Sequence, residues 1–365
     1  MPLDITRELP ERIRSQREGI GYTPAALAER SELSPEALAD FESGRRTPQF
    51  HELHRLAWAL GLNPMALLDE MAPSQNPRLT PARFRTQADA SLAPDDRRLL
   101  ALAAEVGRVA RALWTQVRSH PPRVRVGCTG IQEGKPAWSQ GYTLGELARQ
   151  QLIPGRAPIL GLKDAVEDLG VHVAWVRFQD PKVEGACVAE KDALPVILLN
   201  IGAPRVKRPH TCRAILAHEL CHVLHDGNRR SNPITSVSYA HQDEGLLSDQ
   251  ERRANGFAPA FLAPEAFLNL NLAPYELAKN LVHAWYFSLD GAAWHVKNLL
   301  RLSAVEKDAL LSRLRAGVRT RALDFERPAP EQPWLAGGLV ERMAQKACED
   351  GQISEGRLRE ILEMA

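Results

Sequence analysis

The chain has 365 residues, enough for two or three domains, with 46 basic against 45 acidic side chains and a formal net charge of +1. Such balance excludes a protein that acts as one uniformly basic or acidic surface. No apolar run reaches membrane length, Met1 to Ile20 is charged without a signal-peptide core, and the five cysteines show no Cys-x-x-Cys spacing; the expectation is a reduced, cytoplasmic protein with no membrane partner.

Residues 3 to 70 predict five short helices. Thr23 and Ser34 are candidate N-caps, with Pro24 and Pro35 suited to the first helical turn. Gly44 ends the third helix, and Gly61 with Pro64 separates the last two. Leu27, Ala28, Leu33, Leu38 and Phe41 supply a small core. This unit, residues 1–72, resembles the XRE/Cro-type helix-turn-helix family along its full length, including Gly44-Arg45-Arg46-Thr47-Pro48 after the recognition helix. The resemblance implies that the helix Pro35 to Ser43 enters the major groove of an operator, with Ser34, Glu36, Ala37 and Asp40 on the DNA side and Arg45 and Arg46 at phosphates. Charge weighs against tight binding: eight Arg and no Lys face twelve Asp and Glu between Met1 and Ala72, a net of −4. Phosphate neutralisation dominates DNA affinity, so such a module binds weakly or as an oligomer such as a homodimer. The competing reading is a module for dimerisation or protein contact.

Residues 73–140 change character. MAPSQNPRLTPARF reads as a linker, and Asp95 to Val117 as a helix with Leu99, Leu102, Ala103, Val106, Val109, Ala110 and Leu113 at helical spacing. Ten Arg against four acids between Pro73 and Gly130 suggest the solvated face of a connecting or dimerisation helix.

A third unit, residues 141–302, carries the chemistry. Arg156 to Leu169 predicts a helix, while Val171 to Phe178, Gly185 to Ala189 and Pro195 to Asn200 predict strands of a small antiparallel sheet. The fold class is thus mainly α with a small antiparallel β-sheet, α+β. Thr211 to Gly227 reads TCRAILAHELCHVLHDG, with an apolar stripe of Ile215, Leu216, Leu220, Val223 and Leu224. His218 and His222 stand one helical turn apart and can share a metal ion, with Glu219 beside them to hold a water without being a ligand. Two imidazoles on Zn²⁺ (Mn²⁺ is the alternative), an open position and a carboxylate base are what metal-assisted peptide hydrolysis needs. His225 lies about 10.5 Å from His218 along the axis, too far to join them. Glu251, on the otherwise apolar face marked by Ala254, Phe257, Ala258 and Phe261, is the better third ligand, ahead of Asp249 and Glu244.

HELCH followed by Glu-x-x-Ala-Asn-x-Phe-Ala resembles the ImmA/IrrE metallopeptidases over roughly Ile153 to Leu302. The resemblance implies a zincin-like domain with His218, His222 and Glu251 on the metal and Glu219 as base. Cys221 departs from it, where a small residue such as glycine is usual. Asp226 to Ser248 predicts a long functional loop in which Tyr239 or His241 could donate to an oxyanion. The strand ending at Asn200 is the expected docking edge for substrate. Two helices follow Pro274 and Ser288, where His283 and His295 read as packing residues, and residues 303–365 close the chain with a helical segment, Leu339 to Met364. The expected function is a transcriptional regulator whose zinc endopeptidase cleaves a repressor or antitoxin-like protein, or itself, under stress. The alternative is a DNA-binding repressor whose peptidase fold senses without turnover.

Overall fold

A four-stranded sheet separates the two larger cores of the protein. The computed structural model describes residues 5–68, 92–124, 134–190, 192–226, 234–239, 247–326 and 328–364. Strands β1 (His172–Val176), β2 (Val183–Ala189), β3 (Val196–Asn200) and β4 (Ile234–Tyr239) lie in the order β1-β3-β2-β4. β1 and β3 are parallel, and β2 is antiparallel to β3 and β4, so the sheet is mixed rather than purely antiparallel. The reason is burial: the run Val196 to Leu199 is apolar on both faces, which suits an interior strand and places β3 between β1 and β2. Asn200 is accordingly no docking edge. Its side chain accepts from the Phe178 and Gly202 amides at 3.2 and 2.8 Å and donates to the Val183 carbonyl at 2.7 Å, tying three strand ends together. Expected as loop, Ile234–Tyr239 instead forms an edge strand, β4, paired with β2.

The N-terminal unit holds α1 (Ile5–Ile20), α2 (Pro24–Arg30), α3 (Pro35–Glu42), α4 (Phe50–Ala59) and α5 (Pro64–Leu67). Thr23 and Ser34 cap α2 and α3 as their chemistry predicts, each accepting a backbone N–H at 3.1 Å. Ile13, Leu27, Leu38, Phe41 and Leu56 fill its own small core.

Helix α6 (Pro94–Val117) corrects the expectation of a solvated connector. Leu100, Leu102, Ala103, Val106, Ala110, Leu113 and Trp114 are buried, packed with Ala174, Ala186, Val196 and Leu198 of one sheet face. Helices α14 (Leu339–Glu349) and α15 (Glu355–Leu362) complete that layer. The N-terminal unit docks on the start of α6. Asp95 Oδ1 accepts from Tyr22 Oη at 2.5 Å and pairs with Arg30 at 2.5 Å, and Arg98 donates to the Trp58 carbonyl at 3.0 Å. Gln179, in the β1–β2 turn, donates to Asp95 Oδ2 at 3.0 Å from its side chain and to Asp96 Oδ1 at 2.9 Å from its amide.

The other sheet face, with Val173, Cys187, Ile197 and Leu199, is covered by α7 (Ala137–Leu152), α8 (Leu162–Asp168), α9 (Pro209–His225), α10 (Asp249–Leu262), α11 (Pro274–Ala284), α12 (Leu289–Leu300) and α13 (Ala304–Gly317). Helix α8 is shorter than the predicted Arg156 to Leu169. The stretch before it is a run of bends, and its carbonyls at Gly155 and Ala157 accept from Arg149. Helix α7 was not expected at all. Its Gly141 and Gly145 lower helix propensity, yet they let the backbone of α10 approach: a Cβ at Gly145 would lie 2.5 Å from the Phe257 carbonyl oxygen, and one at Gly141 would overlap that of Arg253. No helix among the described residues is long and apolar enough to cross a membrane.

Among the described residues, two histidines outside the metal motif are fully buried. His172 Nε2 donates to the Leu335 carbonyl at 2.7 Å, and His295 Nε2 to that of Ala263 at 2.9 Å. Burial holds each imidazole down at about 4. In the unfolded chain both take a proton near pH 6.5, so between 6.5 and 4 unfolding binds protons and stability falls as the pH drops. Each contributes about 3 kcal/mol that is complete above pH 6.5 and lost towards pH 4. Denaturant titrations at neutral and acid pH should show this slope, shallower in His172→Asn; an unchanged slope in that variant refutes the assignment.

Candidate metal centre

Helix α9 starts on Pro209 and buries Ile215, Leu216, Leu220, Val223 and Leu224, which turns His218 and His222 towards α10. Their Nε2 atoms lie 3.1 Å apart. Glu251, in the first turn of α10, reaches both: Oε2 is 3.2 Å from His218 Nε2 and Oε1 is 3.2 Å from His222 Nε2. Ser248 fixes that turn by accepting the Glu251 amide at 3.2 Å. Among the described residues, these three form the one group of His, Cys, Asp and Glu side chains placed to hold a metal ion.

The other ring nitrogens decide what these atoms are. His222 Nδ1 donates to Asp226 Oδ2 at 2.5 Å, and His218 Nδ1 donates to Asn255 Oδ1 at 3.1 Å. Both oxygens accept, so both Nε2 atoms present lone pairs to each other and to a carboxylate. A divalent cation satisfies such a set, and a proton on His222 takes its place when no ion is bound. Ligands on bonds of about 2.0 Å to a tetrahedral ion stand about 3.3 Å apart, close to the separations here. Electrostatics agree. Burial opposes charge on His222, but hydrogen bonds to Asp226 and Glu251 outweigh it and raise its pKa to about 10. Burial likewise opposes charge on Glu251, yet contacts with both imidazoles hold it well below the usual carboxylate range.

Glu219 lies wholly inside, against Gly185 of β2, where a Cβ would come within 2.9 Å of its Oε1. Neither of its carboxylate oxygens closes a hydrogen bond, nor does the neighbouring Ser238 hydroxyl. Burial raises its pKa, against the opposing pull of His222, His218 and the nearby Ser238 hydroxyl. A buried carboxylate with only the Ser238 hydroxyl beside it, next to a cation site, is poised to exchange a proton with a water or substrate.

Asp226 and Asn255 escaped the sequence reading, although each stands four residues after a ligand, Asp226 after His222 and Asn255 after Glu251. Arg253 completes the shell by pairing with Asp226 Oδ1. His225 ends α9 with its ring edge-on to Phe257 at 5.7 Å, outside the ligand group. Asp249 is exposed and 3.5 Å from Arg252, while Glu244 and His241 lie outside the described residues. Tyr239 ends β4, its backbone registered with Val183. His283 donates to the Arg319 carbonyl and His295 stacks on Phe287, so both serve packing. Cys221 is buried in the core, its thiol pushed well above 9 by burial.

On the N-terminal unit, Ser34, Glu36, Ala37 and Asp40 sit at the start and outer side of α3. Arg45 pairs with Asp40 at 2.8 Å. Arg46 donates twice to Glu52, at 3.1 and 2.9 Å, and its guanidinium lies 4.4 Å from the Phe41 ring centre. Both arginines therefore carry a carboxylate into any contact with phosphate.

The metal group opens through His218 into a cleft of about 1260 Å³ walled by α10, α12 and Ser238 of β4. With that geometry in hand, comparison with protein families is decisive: residues 8–71 match a helix-turn-helix domain and residues 166–290 match the IrrE N-terminal-like domain. The chain joins a helix-turn-helix domain to an IrrE-like domain. No curated protein and no solved structure matches it. The IrrE-like segment runs from α8 through the start of α12 and so contains every residue of the metal group; the helix-turn-helix match spans α1 to α5. Together the two domains support a DNA-binding regulator with a peptidase-like domain.

Proposed function

We propose that this protein is a transcriptional regulator whose IrrE-like domain is a zinc-dependent endopeptidase. Its substrate is a specific regulatory protein, a repressor or antitoxin, or its own chain, in a stress response. One observation carries the reading: two imidazole nitrogens and a carboxylate converge at 3.1–3.2 Å beside a second carboxylate that is wholly buried. His218, His222 and Glu251 would hold the ion and leave one side facing the cleft. A divalent ion bound there supplies a Lewis acid that acidifies water and polarises a carbonyl.

The protein's own groups do the rest. Glu219 takes the proton of the attacking water on its carboxylate and returns it to the leaving amine. Asp226 and Asn255 hold the two imidazoles in the tautomer that keeps Nε2 free. β4, the edge strand beside the cleft, offers its backbone to an extended substrate in place of β3, and Tyr239 at its end keeps the proposed role of oxyanion donor. Helix α3 with Arg45 and Arg46 is the proposed operator-reading surface, weak in a single copy for want of net positive charge.

Metal analysis of the purified full-length protein tests the centre. One zinc ion per chain is expected. Asp226→Asn should weaken zinc affinity about tenfold to hundredfold, because the amide no longer favours the required His222 tautomer. Failure to retain any divalent ion, or full affinity in a His222→Ala variant, rules the centre out.

A further inference from the structure

The wall of the cleft opposite the metal group has a chemistry of its own. Helix α12 and its cap line it with Trp294, Lys297, Asn298 and Arg301, and Trp138 of α7 lines it too. The two indoles are 38% and 47% exposed, an unusual position for a side chain so costly to leave in water. Lys297 and Lys307 both place their ammonium groups 4.4 Å from the centre of the Trp294 ring. Lys307 is neutralised by Asp308 at 2.6 Å, but among the described residues neither Lys297 nor Arg301 pairs with a carboxylate. Across the cleft, Glu184 is already engaged by Arg205 at 2.7 Å.

Arg301 adds a second, independent observation. It caps α12 at φ 55°, ψ 39°, in the left-handed region. Glycine takes that conformation freely, whereas a residue with a Cβ there is strained by about 1 kcal/mol. A charge near the end of a helix dipole is favourable, but the dipole does not require the residue at the strained position itself, since Lys297 already serves the last turn. Strain retained at the lip of a cleft points to what the cleft receives.

We infer that the α12 wall selects acidic peptide segments carrying an aromatic or aliphatic residue beside the acid. The inference rests on the peptidase reading for the identity of the site, not on turnover. The carboxylates would meet Lys297 and Arg301, and the apolar side chain would lie on Trp138, since two ammonium groups already cover the Trp294 ring. A peptide, rather than a nucleic acid, suits a cleft whose remaining lining includes Leu262 and Leu302 and which runs beside a strand edge able to pair with another backbone.

Full-length Glu219→Gln protein, immobilised and offered a randomised synthetic peptide library, tests this by sequencing what it retains. Enrichment of Asp and Glu next to Phe, Leu or Trp is expected. Charge reversal with Lys297→Glu and Arg301→Glu should lower acidic-peptide affinity about tenfold, each exposed pair accounting for about threefold. Arg301→Gly separates recognition from folding: relief of the left-handed strain should raise the melting temperature while acidic enrichment falls. Enrichment of basic peptides, no enrichment, equal retention after charge reversal, or displacement of the peptides by oligothymidylate would each overturn the inference. If acidic peptides are selected but wild-type zinc protein cuts none of them, the peptidase reading fails and the recognition stands. If it cuts peptides without regard to charge, the reverse holds.

Discussion

Glu219→Gln is expected to bind zinc as the wild type does and to lose proteolysis by at least about 100-fold. General acid–base groups contribute roughly 10²–10⁴ in rate, and this buried carboxylate is the proposed proton acceptor beside the proposed ligands. The amide has the same shape, so the packing against Gly185 survives. Stability should not fall and should rise by about 1 kcal/mol, because an amide is cheaper to bury than a carboxylate without hydrogen bonds. Zinc content, melting temperature and single-turnover cleavage of a substrate protein, compared side by side, give the answer. Undiminished cleavage would remove Glu219 from the chemistry; loss of zinc would show that it supports the ligands instead.

Gly141→Ala is the second large effect, and it acts at a distance. Helices α7 and α10 cross with backbone on backbone: Gly141 lies over the Arg253 carbonyl, Gly145 over that of Phe257, and Gly256 over that of Trp138. A methyl group at Gly141 forces α10 away, at a cost of about 1–3 kcal/mol for overpacking against roughly 1 kcal/mol gained in helix propensity. Because Glu251 rides on α10 while both histidines ride on α9, the same displacement should open the ligand triangle and weaken zinc binding about tenfold. Gly356→Ala is the matched control. Its new methyl would meet only Ser354 Oγ at 3.8 Å, and it should leave the protein as stable or slightly more so. Equal behaviour of the two variants would show that the close approach of α7 does not position the site.

The readable parts of this chain were those in which one residue announces its own local role. Thr23, Ser34 and Ser288 cap helices because a short hydroxyl next to Pro or Leu-rich sequence has few better uses. His218 and His222 share a face because the helical repeat is fixed by the backbone. Glu251 was legible as an acid on an apolar face, a combination that demands a partner. Misreadings arose where a neighbour distant in sequence decides. Gly141 and Gly145 argue against a helix until α10 is there to fill their groove. Asp226 and Asn255 are ordinary polar residues until the imidazoles turn towards them. The arginines of α6 suggested a solvated helix, yet its apolar stripe meets the far face of the sheet.

By itself the sequence determined the helix-turn-helix unit, the histidine pair with its glutamate, and the pairing of that motif with a second helix, since each follows from periodicity, capping and donor chemistry within one or two turns. Only the tertiary structure decided that β3 is interior and β4 lies at an edge, that α7 locks α10, and that the cations and exposed indole of α12 line the same cleft as His218. Those arrangements depend on which surfaces meet after the chain closes, and contacts between residues far apart in sequence leave no local pattern to read.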